Sequence, residues 1–214
     1  MARNKYPEVT VEKILEAAQR LFLEKGYDGT TIQDIVDELG GLTKGAIYHH
    51  FKSKEEIMDA LGDKMFLDNN PFETVRNYKD LNGLQKMKKA MILNQSDKER
   101  VELSKQAIPI LKNPRFLAGM IESNRRVLSP LWLELIEEGN KDGSINTQYA
   151  KELSELLPLF NIWMMPSIYP ASAQEIQHKF SFLRDMFDCM GLPLFDDEIM
   201  SMIKQCFSEL KETE

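Results

Sequence analysis

The chain has 214 residues, 43% hydrophobic and 29% charged, with a formal net charge of −7. This is the composition of a folded globular protein and excludes a disordered or fibrous chain. No apolar run approaches the roughly 20 residues that span a bilayer, the polar start MARNKYPEVT carries no apolar leader segment, and two isolated cysteines, Cys189 and Cys206, make no disulfide framework.

These features fit a reducing cytoplasm, and both cysteines read as small buried apolar residues. The acidity is uneven. Residues 1–54 hold 8 Lys+Arg and 8 Asp+Glu, so the rest of the chain carries the whole of the −7. If nucleic acid is bound, it should be bound at this neutral end, through a local basic cluster rather than a global field.

Helical periodicity recurs from end to end and no segment alternates as a strand. Val11, Ile14, Leu15, Ala18, Leu21 and Phe22 form one apolar face, with Thr10 as the expected N-cap and Gly26 as the stop. A short helix follows, capped by Thr31, with Ile32, Ile35 and Leu39 inward and Gly40-Gly41 at its end. A third opens at Thr43 and carries Ala46, Ile47 and Phe51. Ser53 and Glu56 then read as a capping box opening a longer helix through Ile57, Leu61 and Met65.

Beyond Asn69-Asn70-Pro71 the helices lengthen. Leu81, Leu84, Met87, Met91 and Ile92 share a stripe, and Ser96 with Glu99 reads as a second capping box, opening a helix towards Leu111. Asn113-Pro114 starts a long helix through Phe116, Met120, Leu131 and Ile136. Asn146 opens one through Leu153, Leu156, Phe160 and Met164. Ser172 and Glu175 open another through Ile176, Phe180, Leu183 and Phe187, and Asp196 opens the last. The expected fold is all-α, with nine or ten helices.

Two short helices joined by a glycine turn, Ile32–Leu39 and Thr43–His50, form a helix-turn-helix pattern. The run that follows suits DNA. Thr43 offers a hydroxyl at a helix start. Gly45 and Ala46 are small enough for close approach to a groove. Tyr48, His49, Lys52 and Lys54 are donors for phosphate oxygens. His49 and His50 point about 100° apart on a helix, which disfavours a shared metal. No dinucleotide fingerprint, P-loop, zinc-protease motif or Cys/His cluster occurs, so no enzymatic activity, cofactor or metal is expected.

Gly26-Tyr27, Thr30-Thr31, Gly41-Leu42-Thr43-Lys44-Gly45-Ala46-Ile47-Tyr48-His49-His50-Phe51 and Ser53-Lys54 resemble the signature of the TetR (tetracycline-repressor-like) family. The resemblance implies an N-terminal three-helix helix-turn-helix domain, a larger helical effector-binding and dimerisation domain, and a two-fold dimer. The expected domains are residues 1–55 and 56–214. Carried over by position, Thr31, Thr43, Tyr48 and Lys54 are implied phosphate contacts, and Lys44, Gly45, Ala46 and His49 the base-proximal face. Ile35, Leu39, Ile47 and Phe51 are implied as the small core beneath them. One departure is a turn carrying both Gly40 and Gly41, one residue longer than the family pattern.

The larger domain has no motif. Ile176, Phe180, Leu183 and Phe187 repeat at helix-packing spacing, as do Leu153, Leu156, Phe160 and Met164. These seams are either intramolecular core or the four-helix dimer interface that the family implies. A dimer would set its two recognition helices about 34–36 Å apart on a near-palindromic operator.

Pro109, Pro130 and Pro158 fall within apolar helical patterns and would free the carbonyls of Lys105, Arg126 and Ser154. Such irregularity can leave a pocket. Met87, Met91, Met120 and Trp132, with Phe160, Trp163 and Met164, are its candidate lining, and Arg126 and Asn161 its polar groups. Plain core packing is the other reading. The function implied is a dimeric repressor released from its operator by a small-molecule effector. The alternatives are an activator, a corepressor-dependent regulator, or a helical enzyme with a vestigial helix-turn-helix.

Overall fold

In the computed structural model the backbone is described for residues 7–165 and 168–211, and side-chain surroundings for 10–165, 168–172 and 174–204. Among the described residues every regular element is helical. The order is α1 (Pro7–Lys25), α2 (Ile32–Leu39), α3 (Lys44–His50), α4 (Lys54–Asp68), α5 (Pro71–Arg76), α6 (Gly83–Ser96) and α7 (Lys98–Ala107). A 3-10 turn (Ile108–Lys112), α8 (Pro114–Ser123), a π turn (Asn124–Leu128), α9 (Ser129–Asp142), α10 (Ala150–Met164), α11 (Ala173–Cys189) and α12 (Asp197–Lys211) follow. The chain divides into two compact units, the described part of Met1–Asn69 with Lys98–Phe116, and the described part of Asn70–Asp97 with Leu117–Glu214.

The first unit is built from local signals. Thr31 caps α2 in a full capping box: its side chain accepts from Asp34 N–H, and the Asp34 carboxylate accepts from the Thr31 N–H. Gly40 ends α2 in the left-handed region, at φ +60°. Its N–H reaches the carbonyls of Val36 and Asp37, a geometry that favours glycine. The first glycine of the pair therefore closes the helix, and Gly41 and Leu42 lead to Thr43. Ile14, Ala18, Phe22, Ile35, Ile47, Ile57 and Leu61 are buried together, joined by Leu103 and Ile110 from Lys98–Phe116.

The division expected at 55/56 falls in the first turn of α4. Ile57, Met58, Leu61 and Met65 of that helix lie in the same apolar core as α1 and α3. Compactness therefore parts the chain after Asn69 and returns α7 to the first unit.

Three local expectations need correction. Thr10 does not cap α1, which begins at Pro7, a residue suited to a first turn; Thr10 is buried within the helix. Ser96 opens nothing. It is the last residue of α6, and its hydroxyl donates to the Leu93 carbonyl at 2.8 Å. Asn146 lies in a loop, with its N–H on the Gly191 carbonyl at 2.9 Å, and α10 starts only at Ala150. The described helices number twelve rather than nine or ten, because α5 is separate and the π turn divides α8 from α9.

In the second unit, α9 packs against α6 and α10. Met87, Leu135, Ile136, Phe187, Leu192 and Leu194 are fully buried. The α6–α9 crossing is close: a Cβ at Gly83 would lie 2.2 Å from the Gly139 nitrogen. Pro109 opens the 3-10 turn and Pro130 follows the π turn, so neither interrupts an α-helix, whereas Pro158 does lie inside α10. Cys189 is exposed rather than buried, and the side chain of Cys206 lies outside the described residues.

Candidate nucleic-acid interface

The α3 helix carries the expected reading face. Its N-cap, Thr43, accepts from Ala46 N–H at 3.2 Å, and Ile47 is its one buried residue, at 0% exposure. Phe51, just beyond the helix, is buried, and Leu39 packs partly buried on the same core. Thr31, Thr43, Lys44, Gly45, Tyr48, His49 and Lys52 are all exposed, and Ala46 is half-buried. Tyr48 is 49% exposed, unusual for a large aromatic side chain. The buried side of α3 thus fixes the helix, and the opposite side presents donors and two small residues.

Three of the nearby acids are engaged in caps and ion pairs. Asp34 accepts from Thr31 and lies 3.7 Å from Lys25, and its carboxyl sits below the usual range chiefly because the Thr31 hydroxyl donates to it. Glu38 pairs with Arg20 at 3.1 Å. Glu56 accepts the Lys52 N–H at 2.7 Å, so the α4 capping box is displaced by one residue: Ser53 caps Glu56 N–H, and the returning carboxylate takes Lys52 instead. Acids occupied in caps and ion pairs leave Lys44 and Lys52 as exposed cations beside α3. That is how a net-neutral segment of an acidic chain can offer phosphates a positive surface.

Lys54 differs from the other expected contacts. It is half-buried, and its ammonium donates to the carbonyls of Tyr27 at 2.6 Å and Thr30 at 2.8 Å. It also lies 3.9 Å from the centroid of the Tyr27 ring. Burial holds its pKa below the ordinary lysine value, and burial likewise raises that of the Tyr27 phenol. No spacing rule pointed to this seat, because it joins residues 27 positions apart.

The expected dimer residues fare less well. Leu153, Ile176, Phe180, Leu183 and Phe187 are at most 5% exposed in the single chain. They are intramolecular core and have no surface to give a partner. Of the six, Leu156 alone is exposed, at 40%; Leu159 on α10 and Phe182 on α11, outside the expected set, are also exposed. The Phe182 ring packs on Trp163 with centroids 5.9 Å apart.

The expected pocket residues scatter. Met87 and Met164 are buried, Met91, Met120, Trp132, Phe160 and Trp163 are half-buried, and Arg126 and Asn161 are exposed. The Trp132 ring stacks edge-on against Phe72, and Phe160 against Phe187. The described open depression of about 390 Å³ lies between α11 and α12, and none of the expected residues lines it.

An all-helical chain with a capped, donor-bearing second helix of a helix-turn-helix pair defines a DNA-binding regulator. Residues 14–61 match the family model for bacterial regulatory proteins of the tetR family. A curated relative, the HTH-type transcriptional repressor KstR2 of Rhodococcus jostii (strain RHA1), is 31% identical over 152 residues, which are 66% of this chain and 71% of that protein. A transcriptional regulator from Cytophaga hutchinsonii shares the fold at TM-score 0.60 and 18% identity, over 96% of this chain and 98% of that one. One from Saccharomonospora viridis, solved in complex with choline, matches at TM-score 0.53 and 20% identity, over 84% and 96%. The chain belongs to the TetR family of transcriptional regulators. Its role is regulation of transcription and not enzymatic catalysis. No described helix is long and apolar enough to cross a membrane.

Proposed function

We propose that the chain is a dimeric repressor, acting in the cytoplasm, that holds a two-fold symmetric operator through α3 and releases it when a small molecule binds the second unit. The observation that carries this reading is the exposed face of α3. Among the described residues, the side chains of Lys44, Tyr48 and Lys52 have no hydrogen-bond or ion-pair partner within the chain. In this reading the DNA-binding domain is residues 1–55, with Thr43, Tyr48 and Lys52 on phosphates and Lys44, Gly45, Ala46 and His49 towards base edges. Thr31 reaches a phosphate from the start of α2. The effector and dimer domain is residues 56–214.

Support for dimerisation comes from Leu156, Leu159 and Phe182, large apolar side chains left 39–53% exposed on α10 and α11. Isolated exposed apolar residues are common, but a group of this kind is the usual mark of a covered surface. Support for a small-molecule effector comes from the Saccharomonospora viridis neighbour in complex with choline. The effector need only prefer the DNA-incompetent state by a few kcal/mol to empty the operator.

Sedimentation of the wild-type chain and of a Leu159→Lys, Phe182→Lys variant tests the dimer. The wild type should sediment as a dimer, and the folded variant as a monomer that binds a full operator weakly. A folded variant that remains dimeric overturns this placement of the interface.

A further inference from the structure

The turn between α1 and α2 is gripped from two sides by residues distant in sequence. Lys54, the first residue of α4, donates to the Tyr27 and Thr30 carbonyls and covers the Tyr27 ring. From α7, the Gln106 side-chain carbonyl accepts the Tyr27 N–H at 2.9 Å. The Tyr27 ring also packs on Phe22, with centroids 5.4 Å apart. Thr30 is buried at 0% exposure, and its hydroxyl donates to the Gly26 and Leu21 carbonyls at 2.8 and 3.2 Å. Thr31, which caps α2, is the next residue. The Tyr27 and Thr30 backbone groups held by Lys54 and Gln106 lie within five residues of Ile32, the start of α2.

An ammonium has three donors, and two of those of Lys54 are taken by main-chain carbonyls while a ring lies against its charge. A phosphate contact needs the opposite, a solvent-facing cation whose counterions DNA displaces. We propose that Lys54 and Gln106 are positioning residues. They fix the Tyr27 turn and with it the start of α2, so that α2 and α3 meet the operator in register, and the Lys54 charge is used inside the protein rather than on DNA. This deepens the reading of the chain as an operator binder and rests on it.

The test compares Lys54→Met and Gln106→Met with the wild type. Both keep an unbranched side chain of similar length and lose the polar grip. Each, with the double variant, is measured for melting temperature without DNA, and for affinity to a duplex that the wild-type chain selects from random DNA, across a salt series at a temperature where all four proteins are fully folded. The proposal expects both variants to melt lower and to bind the operator several-fold more weakly, with an unchanged slope of log affinity against log salt. It also expects the double variant to lose less than the product of the single losses, because the two residues hold one turn.

A Lys54→Met slope shallower by about 1.8, about 0.9 for one phosphate lost from each protomer of the dimer, with unaltered melting, overturns it. So does lower melting with full operator affinity, which would make the grip structural only. If Lys54→Met does not fold at all, its charge is needed without DNA, as proposed, and Gln106→Met then decides the positioning role. A wild-type chain that binds no operator would fail the function itself, and is recognised separately because the melting comparison involves no DNA.

Discussion

Ile47 is the anchor of the proposed reading helix, and shortening it gives a graded test. The side chain is completely buried and is the only buried residue of the seven-residue α3. Removing its outer carbons leaves a cavity beneath a helix too short to hold itself in water. Ile→Ala in a packed core costs about 2–5 kcal/mol and Ile→Val about 0.5–1.5 kcal/mol. For a unit of this size each kcal/mol moves the melting point by about 4–8 °C, so Ile47→Ala should lower the first unit's transition by at least about 8 °C and Ile47→Val by much less.

Calorimetry would follow the transition, and fluorescence anisotropy with labelled operator would follow binding below it. Binding should fall in the same order, wild type above Val above Ala, because the angle of α3 depends on this contact. An Ile47→Ala chain that melts with the wild type and binds equally well would refute the idea that one buried side chain seats the helix.

Lys44→Ala removes an exposed cation at the first position of α3; it should alter which DNA sequences are preferred and leave melting unchanged, as read by parallel binding to operator variants. Gly83→Ala places a Cβ 2.2 Å from the Gly139 nitrogen and 2.8 Å from the Leu135 carbonyl oxygen. The α6 and α9 backbones must then separate, at a cost of about 1–3 kcal/mol or more, lowering the second unit's transition in calorimetry. Burial, then Asp63 and Glu56, raises the Asp59 pKa. A carboxyl raised on folding destabilises once the pH exceeds its unfolded value. Asp59→Asn should therefore melt higher than the wild type at pH 7, and the advantage should vanish as the pH falls through the range where Asp59 protonates.

Much of the first unit was legible in the sequence because its instructions are local. Thr31, Thr43 and Ser53 each meet a backbone N–H three residues on, and such caps are visible in spacing alone. The α11 seam was located but its partner was not, since the period of Ile176, Phe180, Leu183 and Phe187 is the same whether the facing helix is in this chain or another. Leu159 and Phe182, exposed on α10 and α11, stand outside both expected seams.

The periodicity alone reads as one helix from Phe116 to Ile136, and the pocket was expected from prolines kinking such helices. The π turn at Asn124–Leu128 inserts an extra residue, which rotates everything beyond it by about 100°, and Arg126 lies within that turn on the surface. Lys54 shows a different limit. Its residue type and position fit a phosphate contact, and only the fold brings the Tyr27 and Thr30 carbonyls to its ammonium.

In the proposed dimer, two copies of α3 read a symmetric DNA site. Selecting the duplexes that the wild-type chain retains from random DNA, at a fixed salt concentration, tests it most directly. A dimer reading through α3 should enrich inverted half-sites centred about 10–10.5 base pairs apart, or a multiple of that spacing, with affinity falling as salt rises. Retention without sequence enrichment, or of single half-sites alone, would contradict it.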